Sequence, residues 1–236
     1  MAGGSTYRVV LLDMDGTFLD SRGKGKIPNE WAYNALKKTL GYYGISLTIE
    51  EIDRLFLAPL RIDGAAGVEQ FCARFGLDCK EFWARREKDV IDAKIEAIRS
   101  GTIKLCASSE EIIRYLSAKF QLAVVSDSQQ ACVDFTLDRF NLKPYFAVWY
   151  GRQSDLESLA RRKPNPYYIL KVLQDLHVAK AEAILMDDSS AGVLAAQRAG
   201  IDSVLIARDA EKQSEAEPTY VVSGIGDLRR VIWCGE

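Results

Sequence analysis

The chain has 236 residues, 48% of them hydrophobic and 27% charged, with a formal net charge of -2. That balance describes a soluble globular protein with room for a sizeable core, and it excludes a fibre or a disordered chain. Without an excess of basic residues there is no field to hold nucleic acid, and no apolar stretch approaches the roughly 18 residues of a membrane span.

The first residues lack the charged and apolar regions of a signal peptide, so a cytoplasmic protein with no membrane contact is expected. Met1-Ala2-Gly3-Gly4-Ser5 reads as a flexible lead-in. Cys72, Cys79, Cys106, Cys132 and Cys234 are scattered, without a CxxC pair or a Cys/His grouping, and read as reduced structural thiols. The one histidine, His177, follows Ile169, Val172, Leu173 and Leu176 and reads as a helix C-terminal residue favourable to the dipole. A single histidine in that setting argues against a Ser-His-Asp triad or a histidine zinc site and turns the search to carboxylates, lysine and hydroxyls.

In chain order, Val9 to Leu12 is a buried strand that ends in Asp13-Met14-Asp15-Gly16-Thr17. Strand alternation would place Asp13 and Asp15 on one face, and two converging carboxylates ask for a proton or a cation. From about Pro28 to Gly101 the pattern is helical. Asn29 is expected to cap a first helix, Thr48 with Glu51 makes a capping box, Ala58 to Gly64 reads as a loop, and a helix covers roughly Ala65 to Phe75. Asp78 with Glu81 opens a long helix that ends at Gly101.

Strands and helices then alternate. Ser108 with Glu111 caps a helix, Leu122 to Val125 is a strand, and Gln129 to Phe140 is helical. Phe146 to Trp149 is a short strand, Pro166 to Leu176 a helix, Ala183 to Met186 a strand, and Ser190 to Ala199 a helix closed by Gly200. Val204 to Ile206 and Tyr220 to Val222 supply two more strands, and Asp209 to Pro218 reads as a solvated loop. The pattern predicts an α/β fold, a parallel sheet with helices on both faces. Residues 1–20 and 105–236 would form this core domain, interrupted by an all-helical unit, 21–104, expected to stand over the strand ends as a cap.

Four polar clusters fall at or beyond the carboxyl ends of predicted strands, where open α/β sheets bind ligands: Asp13/Asp15, Ser126-Asp127-Ser128, Lys163-Pro164-Asn165-Pro166 and Asp187-Asp188-Ser189-Ser190. Each has a plainer reading alone. Asp13 to Gly16 could be an ordinary turn, Ser126 to Ser128 and Asp187 to Ser190 helix caps, and Lys163 to Pro166 an extended connector. Together, acids, one lysine and hydroxyls around helix N-termini make a site for a metal and a phosphate.

In this combination the chain resembles the haloacid dehalogenase superfamily over nearly its whole length. Asp13-Met14-Asp15-Gly16-Thr17 is similar to the DxDGT motif, Ser126 to the strand-end Ser/Thr, Lys163-Pro164-Asn165-Pro166 to KPxP, and Asp187-Asp188-Ser189-Ser190-Ala191-Gly192 to the EDSxxG variant. The resemblance implies a Rossmann-like core with an inserted helical cap of the phosphoglycolate phosphatase and β-phosphoglucomutase type. It implies Mg2+-dependent hydrolysis of a small phosphorylated metabolite, with Asp13 as nucleophile and Asp15 as general acid and base. Ser126, Asp127 and Lys163 would bind phosphate, and Asp13, Asp15, Asp187 and Asp188 would be the metal residues, Asp187 the weaker ligand of the set. Dehalogenation does not fit, because the true dehalogenases lack the acid at Asp15. A phosphomutase on the same site and a non-catalytic module with this fold are the alternatives, and either a monomer or a homodimer is compatible with the sequence. Arg61, Arg85 and Arg86 read as solvated arginines, and Trp31, Phe82 and Trp83 as helix packing.

Overall fold

The structure, a computed structural model, describes residues 7–23, 26–207 and 216–232. The lead-in, Cys234 and residues 209–215 of the anticipated solvated loop lie outside the described residues. In chain order the elements are β1 (Val9–Leu12), β2 (Leu19–Asp20), α1 (Glu30–Tyr42), α2 (Ile49–Ile52), a π-helical turn (Asp53–Leu57), α3 (Ala58–Asp63), α4 (Ala65–Phe75) and α5 (Cys79–Arg99). There follow β3 (Lys104–Leu105), α6 (Ser109–Ser117), β4 (Gln121–Gln129), α7 (Gln130–Arg139), β5 (Val148–Arg152), α8 (Tyr167–Asp175), β6 (Ala183–Asp187), α9 (Ser190–Ala199), β7 (Asp202–Ile206), β8 (Tyr220–Val222) and α10 (Leu228–Val231). No helix among the described residues is long and apolar enough to cross a membrane.

The chain divides into two compact units, Met1–Ser21 with Lys104–Gly151 and Arg161–Glu236, and Arg22–Ile103 with Arg152–Ala160. The first is an α/β unit around a six-stranded sheet ordered β5-β4-β1-β6-β7-β8. β1 pairs in parallel with β4 on one side and β6 on the other, and β6, β7 and β8 continue in parallel. Counted in chain order, the six strands read 3-2-1-4-5-6, the doubly wound arrangement whose ligands sit where the order reverses.

All four residues of β1 are fully buried, which is why its sequence shows no polar alternation. Val9 and Leu11 face a layer built from Ala123, Val125, Ala183 and Leu185 with Ile169 and Val172 of α8 and Ala195, Ala196 and Ala199 of α9. The small residues of α9 let that helix lie close on the sheet, and Gly200, at φ 75, ends it. His177 stands just past the end of α8 at φ 51, its N–H bonding Gln174 O while Val178 N–H bonds Leu173 O, so it closes the helix through its backbone. β2 and β3 form a separate antiparallel ladder where the chain leaves and re-enters the unit.

The helical unit packs α1 against α5 around three edge-on or tilted rings, Phe56, Phe71 and Phe82, with centroids 5.0–5.7 Å apart. Gly67 admits α3, since a Cβ there would stand 2.4 Å from Pro59 O. Buried Asp89 ties the two long helices together, accepting from Thr39 Oγ1 at 2.9 Å and pairing with Lys38 Nζ at 2.8 Å. Burial pushes its carboxyl up, but those two donors outweigh it and leave it below the usual range.

Residues 152–160, assigned to the core domain from sequence, group with the helices instead. Leu156 and Leu159 join the apolar cluster of the helical unit, and Trp83 Nε1 donates to Ser154 O at 3.0 Å. Arg152, 3% exposed, donates to Glu87 Oε2 at 2.6 Å and to Ser158 Oγ at 3.1 Å, while Glu87 also accepts from Arg86.

Local departures have local reasons. Ala58 to Gly64 is not a loop: Pro59 lies in the first turn of α3, where a missing N–H costs nothing, and the break comes at Gly64, φ 60. Asn29 and Ser108 hold the N-cap positions of α1 and α6 in left-handed backbone, and neither side chain caps. The Thr48–Glu51 box is complete, and Asp78 accepts from Glu81 N–H at 2.9 Å. β4 runs on through Gln129, so Ser126 to Ser128 belong to the strand and do not cap α7. Arg86 lies half-buried over Trp83, and Arg85 stacks on Tyr42 at 3.5 Å, so of the three arginines only Arg61 is a solvated surface residue.

Candidate active site

The carboxyl ends of β4, β1 and β6 lie side by side, and the acids predicted from sequence collect there. The β1 ladder stops at Leu12, yet Asp13 N–H still bonds Met186 O at 2.9 Å, keeping the ends in register for one more residue. Met14 to Leu19 then form a turn, closed by Gly16 N–H to Leu19 O at 2.8 Å and Leu19 N–H to Met14 O at 2.9 Å. Asp15 therefore owes its placement to this turn, whereas Asp13 stands at the end of the strand register.

Lys163 is the hub of the site. Its Nζ donates to Asp13 Oδ1 at 2.6 Å and to Asp187 Oδ2 at 2.7 Å, with all three side chains at most 9% exposed. Burial by itself would depress the ammonium pKa; the charges of Asp13, Asp187 and Asp127 outweigh that and raise it, so the lysine stays charged. Burial pushes the Asp13 carboxyl up, Lys163 pulls it back, and the charges of Asp187 and Asp15 push it up again, leaving it well above the usual carboxylate range. Asp127 is likewise lifted by burial.

The Lys163 loop is held at several points. Asp127 Oδ1 accepts from Lys163 N–H at 3.1 Å, the Lys163–Pro164 peptide is cis, and Arg198 of α9 donates to Pro164 O at 3.1 Å. The Asp127 side chain thus anchors the lysine, a role the sequence did not suggest. Asp187 Oδ1 accepts from Ser189 N–H at 2.9 Å and Ser189 Oγ at 2.6 Å, and Ser189 caps α9 by accepting from Gly192 N–H at 3.1 Å. Asp13, Asp187 and Asp188 each present a carboxylate oxygen within 4.8 Å of the others.

Two glycines make that crowding possible. Gly16 sits at φ 84, and a Cβ on it would lie 2.1 Å from Asp188 Oδ2; a Cβ on Gly192 would lie 2.0 Å from Asp187 Oδ2. Asp15, half-buried, accepts from Ser128 Oγ at 2.5 Å, and Ser126 Oγ, fully buried, accepts from Ser128 N–H at 3.2 Å. Ser128 belongs to the strand-end cluster named from sequence but has no role assigned there. The signal for it is that β4 continues, since residues two apart on a strand share a face.

The donor set is oxygen-only, and beside it stand a charged lysine, serine hydroxyls and the N-terminus of α9. Oxygen donors of this kind suit a hard cation better than a soft one. A model of the family described as haloacid dehalogenase-like hydrolase matches residues 10–206. Among curated relatives, a Caldanaerobacter subterraneus protein named as a pyrophosphatase, PpaX, is 27% identical over 94% of this chain and 93% of its own length. The fructose-1-phosphate phosphatase YqaB of Escherichia coli is 26% identical over 84% of this chain and 95% of its own. The solved structure of CbbY from Rhodobacter sphaeroides, in complex with phosphate, shares the fold at a TM-score of 0.70 and 19% identity, covering 94% of this chain and 96% of that one. With that model spanning residues 10–206, the chain belongs to the haloacid dehalogenase-like hydrolases, and these two relatives carry phosphatase names.

Proposed function

We propose that the protein is a Mg2+-dependent phosphatase that hydrolyses a small phosphomonoester through an aspartyl-phosphate on Asp13. The observation that carries this reading is the pairing of buried Asp13 with Lys163, beside two further carboxylates at the reversal point of the sheet. Asp13, Asp187 and Asp188 offer a hard divalent cation oxygen ligands and no nitrogen or sulfur, which suits Mg2+. Bound there, the ion would offset the carboxylate charge and polarise a phosphoryl oxygen.

The protein groups account for the remaining steps. Lys163 engages Asp13 Oδ1, and Asp13 Oδ2 attacks phosphorus in line with the departing oxygen. Asp15 gives that oxygen a proton, then takes one from the water that attacks phosphorus and releases phosphate from Asp13. Ser126 Oγ and backbone N–H groups near Asp127 hold the phosphoryl oxygens, with Lys163 balancing their charge. In this reading the helical unit acts as the cap that selects substrate, and the described cysteines, all thiols, fit a reducing cytoplasm.

The test is phosphate release from a broad panel of phosphomonoesters with Mg2+. Release that Asp13→Asn abolishes, with the variant's melting midpoint near that of the wild type, supports the reading. No release from any member, or full activity in Asp13→Asn, refutes it. Isomerisation of a sugar phosphate that requires a catalytic bisphosphate would assign the site to a mutase instead.

A further inference from the structure

Ser128 Oγ reaches Asp15 Oδ2 at 2.5 Å across 113 positions of sequence. Its hydroxyl is not spent on a helix cap, since α7 begins at Gln130 with Gln129 in the N-cap position and no side-chain cap bond there. Ser128 is instead part of β4, its N–H tied to Ser126 Oγ at 3.2 Å. Asp15 stands in a turn whose backbone is pinned at both ends, with an isolated bridge to Leu19. That pinning fixes the Asp15 Cα but leaves its side-chain torsions to be settled by what the carboxylate meets. A serine presented from the neighbouring strand supplies such a constraint, its hydroxyl donating a short, directional bond to one carboxyl oxygen.

We propose that Ser128 is a positioning residue for Asp15, holding Oδ2 so that the other carboxylate oxygen is aimed at the departing and entering oxygens. This rests on the reading of Asp15 as proton carrier given above. In the first step the bond from Asp13 to phosphorus forms as the ester bond breaks, and the leaving oxygen takes its proton from Asp15. In the second, water's oxygen bonds phosphorus, the Asp13 ester breaks, and water's proton passes to Asp15. Ser128 donates one hydrogen bond throughout and exchanges no proton. Orientation of this kind matters most where proton transfer is difficult, so its loss must depend on the leaving group.

The experiment compares kcat/KM, which reports the first chemical step, for p-nitrophenyl phosphate and for an alkyl phosphate that the wild type hydrolyses. The nitrophenolate leaves without a proton; the alkoxide does not. Ser128→Ala and Ser128→Cys should lower the alkyl value by about tenfold or more and the aryl value by less than about threefold, and Ser128→Thr should restore most of the alkyl rate. Asp15→Asn should show the same split more deeply, on the order of 10²–10⁴ for the alkyl substrate. Equal losses on both substrates, no loss, or a gain in the Ser128 variants overturns the proposal while Asp15→Asn still splits. A flat response in Asp15→Asn overturns the proton-carrier reading and the proposal with it. Melting midpoints of all four variants, measured alongside, exclude unfolding as the source of any loss.

Discussion

Replacing Lys163 by Met keeps an unbranched, apolar stem and removes the charge that sits between Asp13 and Asp187 at 2.6 and 2.7 Å. In metal-free protein the two buried carboxylates must then either stay ionised side by side or bind a proton. Losing one partner of a buried ion pair costs about 3–5 kcal/mol. Protonation provides an escape whose cost depends on pH. Asp13 already binds its proton more tightly folded than unfolded, so ionising it costs stability as pH rises above the ordinary carboxylate value; without Lys163 that window extends to higher pH. The deficit of Lys163→Met should therefore widen with pH by up to about 1.4 kcal/mol per unit. Lys163 itself cannot mimic this slope, because its pKa is raised and its contribution is complete below the usual lysine value. For a chain of this size each kcal/mol moves the melting midpoint by about 2–4 °C, so calorimetry in EDTA should find the variant roughly 10 °C below wild type at pH 8 and closer to it at pH 5. Added Mg2+ should raise the variant more than the wild type. An equal loss at every pH would mean that packing alone had been damaged, and the electrostatic account of the site would fall.

Two glycine-to-alanine changes should act with opposite sign. Gly192→Ala drives a Cβ to within 2.0 Å of the Asp187 carboxylate, so phosphate release should fall at least about tenfold, whereas Gly41→Ala in α1, with nothing within 4 Å, should gain about 0.5–1 kcal/mol in a thermal melt. Similar activity in Gly192→Ala would show that Asp187 has freedom to move. In the helical unit, Glu87→Gln and Arg152→Met should each cost about 3–5 kcal/mol, and the double variant should lose clearly less than the sum, by about 0.5–3 kcal/mol, in a double-mutant cycle. Strict additivity would show the pair to be uncoupled.

What sequence could reveal follows from how local each cause is. β1 was legible because four aliphatics ending at an acid is a local pattern, and α9 because Ser189 and Gly200 mark its ends within twelve residues. The long acidic and basic face of α5 was not. Helical periodicity assigns Glu87 and Asp89 to solvent, and only Arg152, Lys38 and Thr39, brought in from elsewhere in the chain, make their burial tolerable. Ala58 to Gly64 reads as a loop because the effect of a proline depends on whether it falls in a first turn, as Pro59 does, or in an interior one. The acids and the lysine of the site announced themselves by type and order. The contacts of Ser128 and of the Asp127 side chain did not, because their partners lie 113 and 36 positions away.

The grouping of 152–160 with the helices bears on how this protein could be taken apart. An insertion held only by its two ends can be excised or exchanged as a cassette. Here the chain passes between the units at four places, Ser21/Arg22, Ile103/Lys104, Gly151/Arg152 and Ala160/Arg161. A graft that replaced 22–103 alone would strand Leu156 and Leu159 without their apolar neighbours and Arg152 without its carboxylate. Modularity in this protein is thus discontinuous: the helical unit is transferable only as two pieces, and the shorter ends three residues before Lys163.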